Sequence, residues 1–270
     1  MAEPVTPRGR TWPPTRPDGG SRADVGVIGG SGFYEFLDDT TEVVVSTPYG
    51  APSGPVTLGM VGGRRVAFLA RHGRYHTIPP AAVNYRANVY ALHQLGVRAV
   101  IGPCSVGSLQ PHLHPGDVVI VDQLVDRTWG RGDTYFDGVD GVVDHVSFAE
   151  PYDAILRRSA VEAARMEGVA VHDGGTVVVI NGPRFSTRAE SRWFSSQGWS
   201  VVNMTQYPES VLAAELRLPY VGLSLVTDYD AGLEGVDGIA PVTMEAVFTM
   251  LKANIERVRA VLFRLIPLIA

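Results

Sequence analysis

Two carboxylates stand two residues apart at the end of an apolar run, Pro219-Tyr-Val-Gly-Leu-Ser-Leu-Val-Thr-Asp-Tyr-Asp230. Residues Tyr220 to Val226 read as a β-strand covered on both faces, because the apolar run is continuous rather than alternating. Side chains two apart on a strand share a face, so Asp228 and Asp230 are expected to point the same way at its carboxyl end. Open α/β sheets hold their ligands at that end. Like charges held close do not ionise together easily, so one acid is expected to keep its proton near neutral pH and to act as a general acid. The same pair would also suit a solvated turn that caps a strand.

A second cluster, Arg71, His72, Arg74 and His76, follows another apolar run in Leu69-Ala-Arg-His-Gly-Arg-Tyr-His-Thr-Ile-Pro-Pro80. Gly73 and the two prolines make this a loop, so His72 and His76 do not share a helix face as a metal pair would. No acid or cysteine ligand stands beside them, and zinc is not expected. Arginine and histidine N–H groups suit a phosphate dianion, which a guanidinium can grip through two oxygens. Gly29-Gly-Ser-Gly32 also follows a strand and offers backbone N–H groups and the Ser31 hydroxyl to an anion. Its spacing is not the dinucleotide fingerprint, since Glu35 stands where a third glycine belongs, and a plain tight turn is the alternative. Two further strand-to-helix junctions are Asn181-Gly-Pro-Arg-Phe-Ser-Thr-Arg-Ala-Glu190 and Asn203-Met-Thr-Gln-Tyr-Pro-Glu209. Phe185 could stack on a flat heterocycle, Thr205 could bond an anion, and Met204 offers a soft apolar surface. Arg188 or Glu190 would anchor or cap a helix.

The elements that must position these residues alternate along the chain. Strands are expected at 24–28, 42–45, 56–60, 65–69, 99–102, 117–121, 176–180, 201–202 and 220–226. Helices are expected at 81–95, 152–167, 187–197, 207–217 and 243–266, several stopped by glycine. The stretch 127–148, rich in glycine and charge, reads as one long loop of the kind that serves function or assembly. Alternation without a linker argues for one α/β domain over 24–270, preceded at 1–23 by a Pro-, Gly- and Arg-rich extension expected to be disordered.

Composition removes several classes. With 270 residues, 45% of them hydrophobic, the chain can bury a substantial core. A net charge of -5 without a dense basic cluster argues against nucleic acid. Cys104 is the one cysteine, which rules out an internal disulfide and fits a reducing cytoplasm. Lys252 is the one lysine, so there is no Walker-type phosphate loop, and a Schiff base would have to form in the closing helix. No apolar run reaches membrane-spanning length.

Taken together, Val27-Ile-Gly-Gly-Ser-Gly32, the Leu69 to Ile78 segment, Pro115-Gly-Asp-Val-Val-Ile120, Asp122-Gln123, Asp126-Arg-Thr128, Ala149-Glu-Pro151, Gly182-Pro-Arg-Phe-Ser186, Asn203-Met-Thr205 and Thr227-Asp-Tyr-Asp230 resemble, in order from about Asp24 to Pro267, the trimeric purine nucleoside phosphorylases. Within them the chain is most similar to the branch that acts on S-methyl-5′-thioadenosine. The resemblance implies a single α/β domain with a mixed central sheet flanked by helices, assembled as a homotrimer, with inorganic phosphate as co-substrate and no other cofactor. It implies phosphate binding by Ser31, Arg71, His72 and Thr205 with backbone near Ser105. Met204 would lie against the ribose, and Phe185 and Ser186 would contact the base. Asp228 would address purine N7, Asp230 would read the exocyclic amino group, and His145 would reach across a subunit interface toward the 5′ substituent. One departure stands out: many members carry Thr-Thr-Ala-Cys-Gly where this chain has Pro103-Cys-Ser-Val-Gly107, so Cys104, a poor donor, replaces a threonine hydroxyl. Phosphorolysis of a 6-oxopurine nucleoside or of methylthioinosine is the neighbouring alternative, and a non-catalytic nucleoside or dinucleotide binder is the alternative from another class.

Overall fold

The computed structural model describes residues 12–14, 22–30, 37, 40–139, 142–236, 239 and 243–269. Among them, eleven strands form one mixed sheet: β1 Val25–Gly29, β2 Thr41–Val43, β3 Val56–Val61, β4 Arg64–Ala70, β5 Ala99–Ser108, β6 Val118–Ile120, β7 Gln123–Arg127, β8 Val171–Asp173, β9 Thr176–Ile180, β10 Val201–Asn203 and β11 Tyr220–Tyr229. The main path runs β2-β3-β4-β1-β5-β10-β9-β7, and a branch leaves β5 through β11 to β6 and β8. Five α-helices flank it: α1 Tyr85–Gln94, α2 Ala154–Met166, α3 Arg188–Ser196, α4 Gln206–Glu215 and α5 Met244–Leu265.

The alternation of side chains along each strand divides the core into two layers. Val100, Val106, Tyr220 and Val226 face one layer with α1 and α4, while Ala99, Ile101, Val221, Leu223 and Leu225 face the other with α2 and α5. Both faces are therefore apolar, which is why β5 and β11 read as continuous runs; each buried aliphatic side chain contributes about 1.5–3 kcal/mol. β5 and β11 lie parallel from Tyr220↔Val100 to Tyr229↔Ser108, and their carboxyl ends open together beside β10.

Two expectations need correction, and two strands were not expected. The helix expected from Ala81 is a 3-10 turn, Pro80–Ala82, and then α1, because the Asn84 side chain accepts the Ala87 N–H and caps a new start. β5 is ten residues rather than four and passes through Pro103, which the rule against proline inside a sheet hides. β7 and β8 are absent from the expected strands: β7 lies just before the charged stretch, meets it at Arg127 and pairs with β9 along its length, and the short β8 pairs with β6. Most of 1–23 lies outside the described residues; within it, the Trp12 ring lies 4.9 Å from Phe136 and 5.5 Å from Tyr135, and its Nε1 donates to Glu215 O at 2.8 Å. No helix among the described residues is long and apolar enough to cross a membrane.

Candidate active site

The carboxyl ends of β4, β5, β9, β10 and β11 converge on a cavity of about 230 Å³. It has an anion-binding half and a half suited to a heterocycle. Gly30, Arg71, His72, His76, Cys104, Ser105 and Thr205 line the first, and Phe185, Ser186, Met204, Asp228 and Asp230 line the second.

Arg71 is 1% exposed and its guanidinium is already engaged. Nε and Nη2 form a two-point pair with Glu209, Nη2 also donates to Ile28 O at 2.8 Å, and Nη1 donates to Pro103 O at 3.2 Å. Burial opposes its charge, and Glu209 more than offsets that, so the guanidinium stays charged. The two-oxygen grip expected for phosphate is thus made on Glu209, and only Nη1 retains an N–H beyond those bonds. A side chain on Gly30 would put its Cβ 2.9 Å from this Nη1, so glycine keeps that edge open.

His72 also differs from expectation. Its Nδ1 lies 2.9 Å from Ile78 O, and since a carbonyl only accepts, Nδ1 carries the proton. Burial, then the Arg71 charge, lower its pKa to about 4, so the ring is neutral at pH 7 and Nε2 presents a lone pair rather than an N–H. His72 therefore offers an acceptor at Nε2 rather than a second N–H. His76 packs its ring 4.7 Å from His72, and burial lowers its pKa as well. The Cys104 sulfur is tied to the floor, accepting from Gln206 Nε2 at 3.2 Å and Asn203 Nδ2 at 3.4 Å.

On the opposite wall a register shift in β11 between Val226 and Asp228 turns Thr227 inward, where Oγ1 donates to Asp228 Oδ1 at 2.7 Å. Asp228 is raised from 3.8 to about 6, chiefly by burial, against the Thr227 hydrogen bond and with a smaller push from Asp230. Burial also raises Asp230. The main cause of the rise at Asp228 is loss of water, not the neighbouring like charge. Asp230 Oδ2 and Ser186 Oγ are buried without a hydrogen-bond partner, which leaves an acceptor and a hydroxyl for a ligand.

Of the residues singled out in the sequence, Arg71, His72, His76, Cys104, Ser105, Phe185, Ser186, Met204, Thr205, Asp228 and Asp230 line this one cavity. His145 does not; it is exposed on the long loop. Ser31 lies outside the described residues. Sequence reasoning missed Val247 from α5, which adds an apolar wall, and the buried Glu209 behind Arg71. Nothing local marks Val247, whereas Pro208-Glu209 inside an apolar helix was a legible sign of a buried acid. α3 begins with a capping box in which Thr187 and Glu190 bond each other's backbone, and Arg184 braces Glu190, so Glu190 serves the helix start.

An anion half facing a paired-acid half across the carboxyl ends of a mixed sheet marks an α/β protein built to bring an anion against a flat polar ligand. The chain matches the phosphorylase superfamily over residues 24–267, and it belongs to that family. It is 56% identical over 248 residues to a purine nucleoside phosphorylase of Streptomyces coelicolor, covering 90% of this chain and 88% of that one. It is 58% identical over 225 residues to an S-methyl-5′-thioadenosine phosphorylase of Mycolicibacterium smegmatis, covering 83% and 84%. Its fold superposes on a methylthioadenosine phosphorylase from Schistosoma mansoni in complex with adenine with a TM-score of 0.87, at 37% identity and 92% coverage of both chains.

Proposed function

We propose that this enzyme phosphorolyses S-methyl-5′-thioadenosine to adenine and 5-methylthioribose 1-phosphate. Cleaving the glycosidic bond needs a neutral leaving group and a stabilised sugar cation. The Asp228 carboxyl, with a pKa of about 6, delivers its proton to purine N7 as the bond to C1′ breaks, and this is worth on the order of 10²–10⁴-fold. Phosphate in the anion half, held by Arg71, His72, Thr205 and backbone near Ser105, supplies the nucleophile and a negative charge beneath the cation. His72, neutral with its proton on Nδ1, accepts a hydrogen bond at Nε2 from the P–OH of the phosphate dianion. The bond from a phosphate oxygen to C1′ forms on the face opposite the departing base. Inorganic phosphate is the co-substrate, and the mechanism draws on no other cofactor.

The observation that carries this reading is the half-buried Asp228 beside the buried Asp230 with its orphaned oxygen, facing the Arg71 and His72 loop. A 6-amino group donates to Asp230 Oδ2; a 6-oxo group cannot. The Streptomyces relative is named a purine nucleoside phosphorylase, so purine nucleosides other than methylthioadenosine, 6-oxopurines among them, stay as the second reading. Initial rates on methylthioadenosine, adenosine, inosine and methylthioinosine with phosphate present decide between them, and a faster 6-oxo substrate defeats the choice of adenine. In the same reading the enzyme works as a cytoplasmic homotrimer in methionine and purine salvage. His145, exposed and outside its own cavity, there serves the 5′ end of a neighbouring site, and a monomer of full activity would exclude that role.

A further inference from the structure

We propose that Arg131 is a positioning residue that holds the nucleoside half of the cavity in register, an inference that rests on the function proposed above. Arg131 lies in the long charged stretch after β7, between Gly130 and Gly132, and does not line the cavity. Its guanidinium sits behind the cavity, where three chain segments end. Nη2 donates to Asn181 O at 3.0 Å and Met204 O at 2.9 Å; Nη1 donates to Tyr207 O at 2.5 Å. Nε donates to the Asn181 Oδ1 at 3.3 Å, and the guanidinium carbon stands 5.1 Å over the Tyr85 ring. Tyr85 in turn donates through its hydroxyl to Pro80 O at 2.9 Å, and Pro80 lines the cavity.

These oxygens belong to the places where β9 and β10 stop and α4 begins. Carbonyls at such ends have no ladder partner and need a donor when water is excluded. One planar fork with five N–H groups satisfies three backbone carbonyls and a side-chain amide at once. Asn181 starts the loop that carries Phe185 and Ser186, and Met204 is itself a cavity residue, so both walls of the heterocycle half hang from the same cation. None of the bonded partners is a carboxylate. The phosphate half has its own anchor in the Arg71 and Glu209 pair, which shares no hydrogen bond with Arg131. Of the phosphate half, Thr205 stands between the bonded Met204 and Tyr207, whereas Arg71 and His72 lie on another loop with their own anchor, so loss of Arg131 is expected to cost nucleoside binding more than phosphate binding. A lysine, a point charge on a flexible stem, cannot bridge the same set of carbonyls.

The test is steady-state kinetics of the full chain with methylthioadenosine and phosphate varied independently, in the wild type, R131A and R131K, with thermal melting and added guanidinium as companion readouts. The expected result is a nucleoside KM raised about tenfold to a hundredfold in R131A, as for an ångström-scale misplacement of a binding wall, with the phosphate KM changed far less. Millimolar guanidinium partly restores the nucleoside KM of R131A but leaves R131K unimproved. An unchanged nucleoside KM in a variant that melts cooperatively overturns the assignment. So does an equal rise in both KM values, or failure of guanidinium to restore R131A. If R131A does not fold, the KM split in R131K decides in the same way. A wild type that cleaves no nucleoside overturns the proposed function and this inference together, whereas an active wild type with an unmoved R131A overturns only the inference.

Discussion

Replacing Asp228 by asparagine should make this protein more stable and less active at neutral pH. The carboxyl titrates at 3.8 in an ordinary setting and at about 6 in the fold, chiefly because of burial. A pKa raised by folding gives stability that is fully present below the unfolded value and is lost as pH rises through the folded one. Ionised Asp228 thus costs the native state about 3 kcal/mol above pH 6, taking about 1.4 kcal/mol for each tenfold change in proton affinity. The amide introduced by D228N would carry no charge and would still accept the Thr227 hydroxyl bond. Because the side chain is partly open to the cavity, the gain should be about 2–3 kcal/mol near pH 7.5 and should vanish below about pH 4. Urea unfolding of wild type and D228N across that pH range, in phosphate-free buffer, measures it. A gain that is absent near pH 7.5, or that does not depend on pH, refutes the claim that buried ionisation is what poises this acid.

Three further outcomes follow from the same geometry. Glu209→Gln should lower stability by about 3 kcal/mol in thermal unfolding and raise the phosphate KM, because it leaves the buried Arg71 charge without its ion-pair partner. Gly30→Ala should raise the phosphate KM with little change in the nucleoside KM, since the new methyl would meet Arg71 Nη1 at 2.9 Å. In a pH series, kcat/KM should fall as pH rises through about 6, where Asp228 in the unliganded enzyme loses its proton, and D228N should lack that limb.

The site was more legible than the scaffold around it. Strand-to-helix junctions announced themselves because each ends an apolar run in polar residues that a buried loop would not need: Arg71 and His72 after β4, Phe185 and Ser186 after β9, Met204 and Thr205 after β10. Thr187 and Glu190 likewise marked the start of α3 through their capping spacing. What the sequence concealed was long-range. Nothing near Arg71 says that its guanidinium is committed to Glu209, 138 residues away. Nothing near Arg131 says that a charged, glycine-flanked stretch supplies the donor for three distant strand and helix ends. β5 runs on through Pro103 because parallel pairing with β11 continues past a residue that gives no N–H, and Tyr220 lies so close over Gly102 that an added Cβ would fall 2.0 Å from its hydroxyl. Only the neighbouring strand explains that pair of residues.

The most direct test of the account is adenine release from S-methyl-5′-thioadenosine, followed with and without phosphate in wild type and D228N. Release should occur only when phosphate is present, with one phosphate consumed per adenine, and D228N should lose about 10²-fold or more. Adenine release without phosphate, or a D228N enzyme that turns over at the wild-type rate, would contradict it.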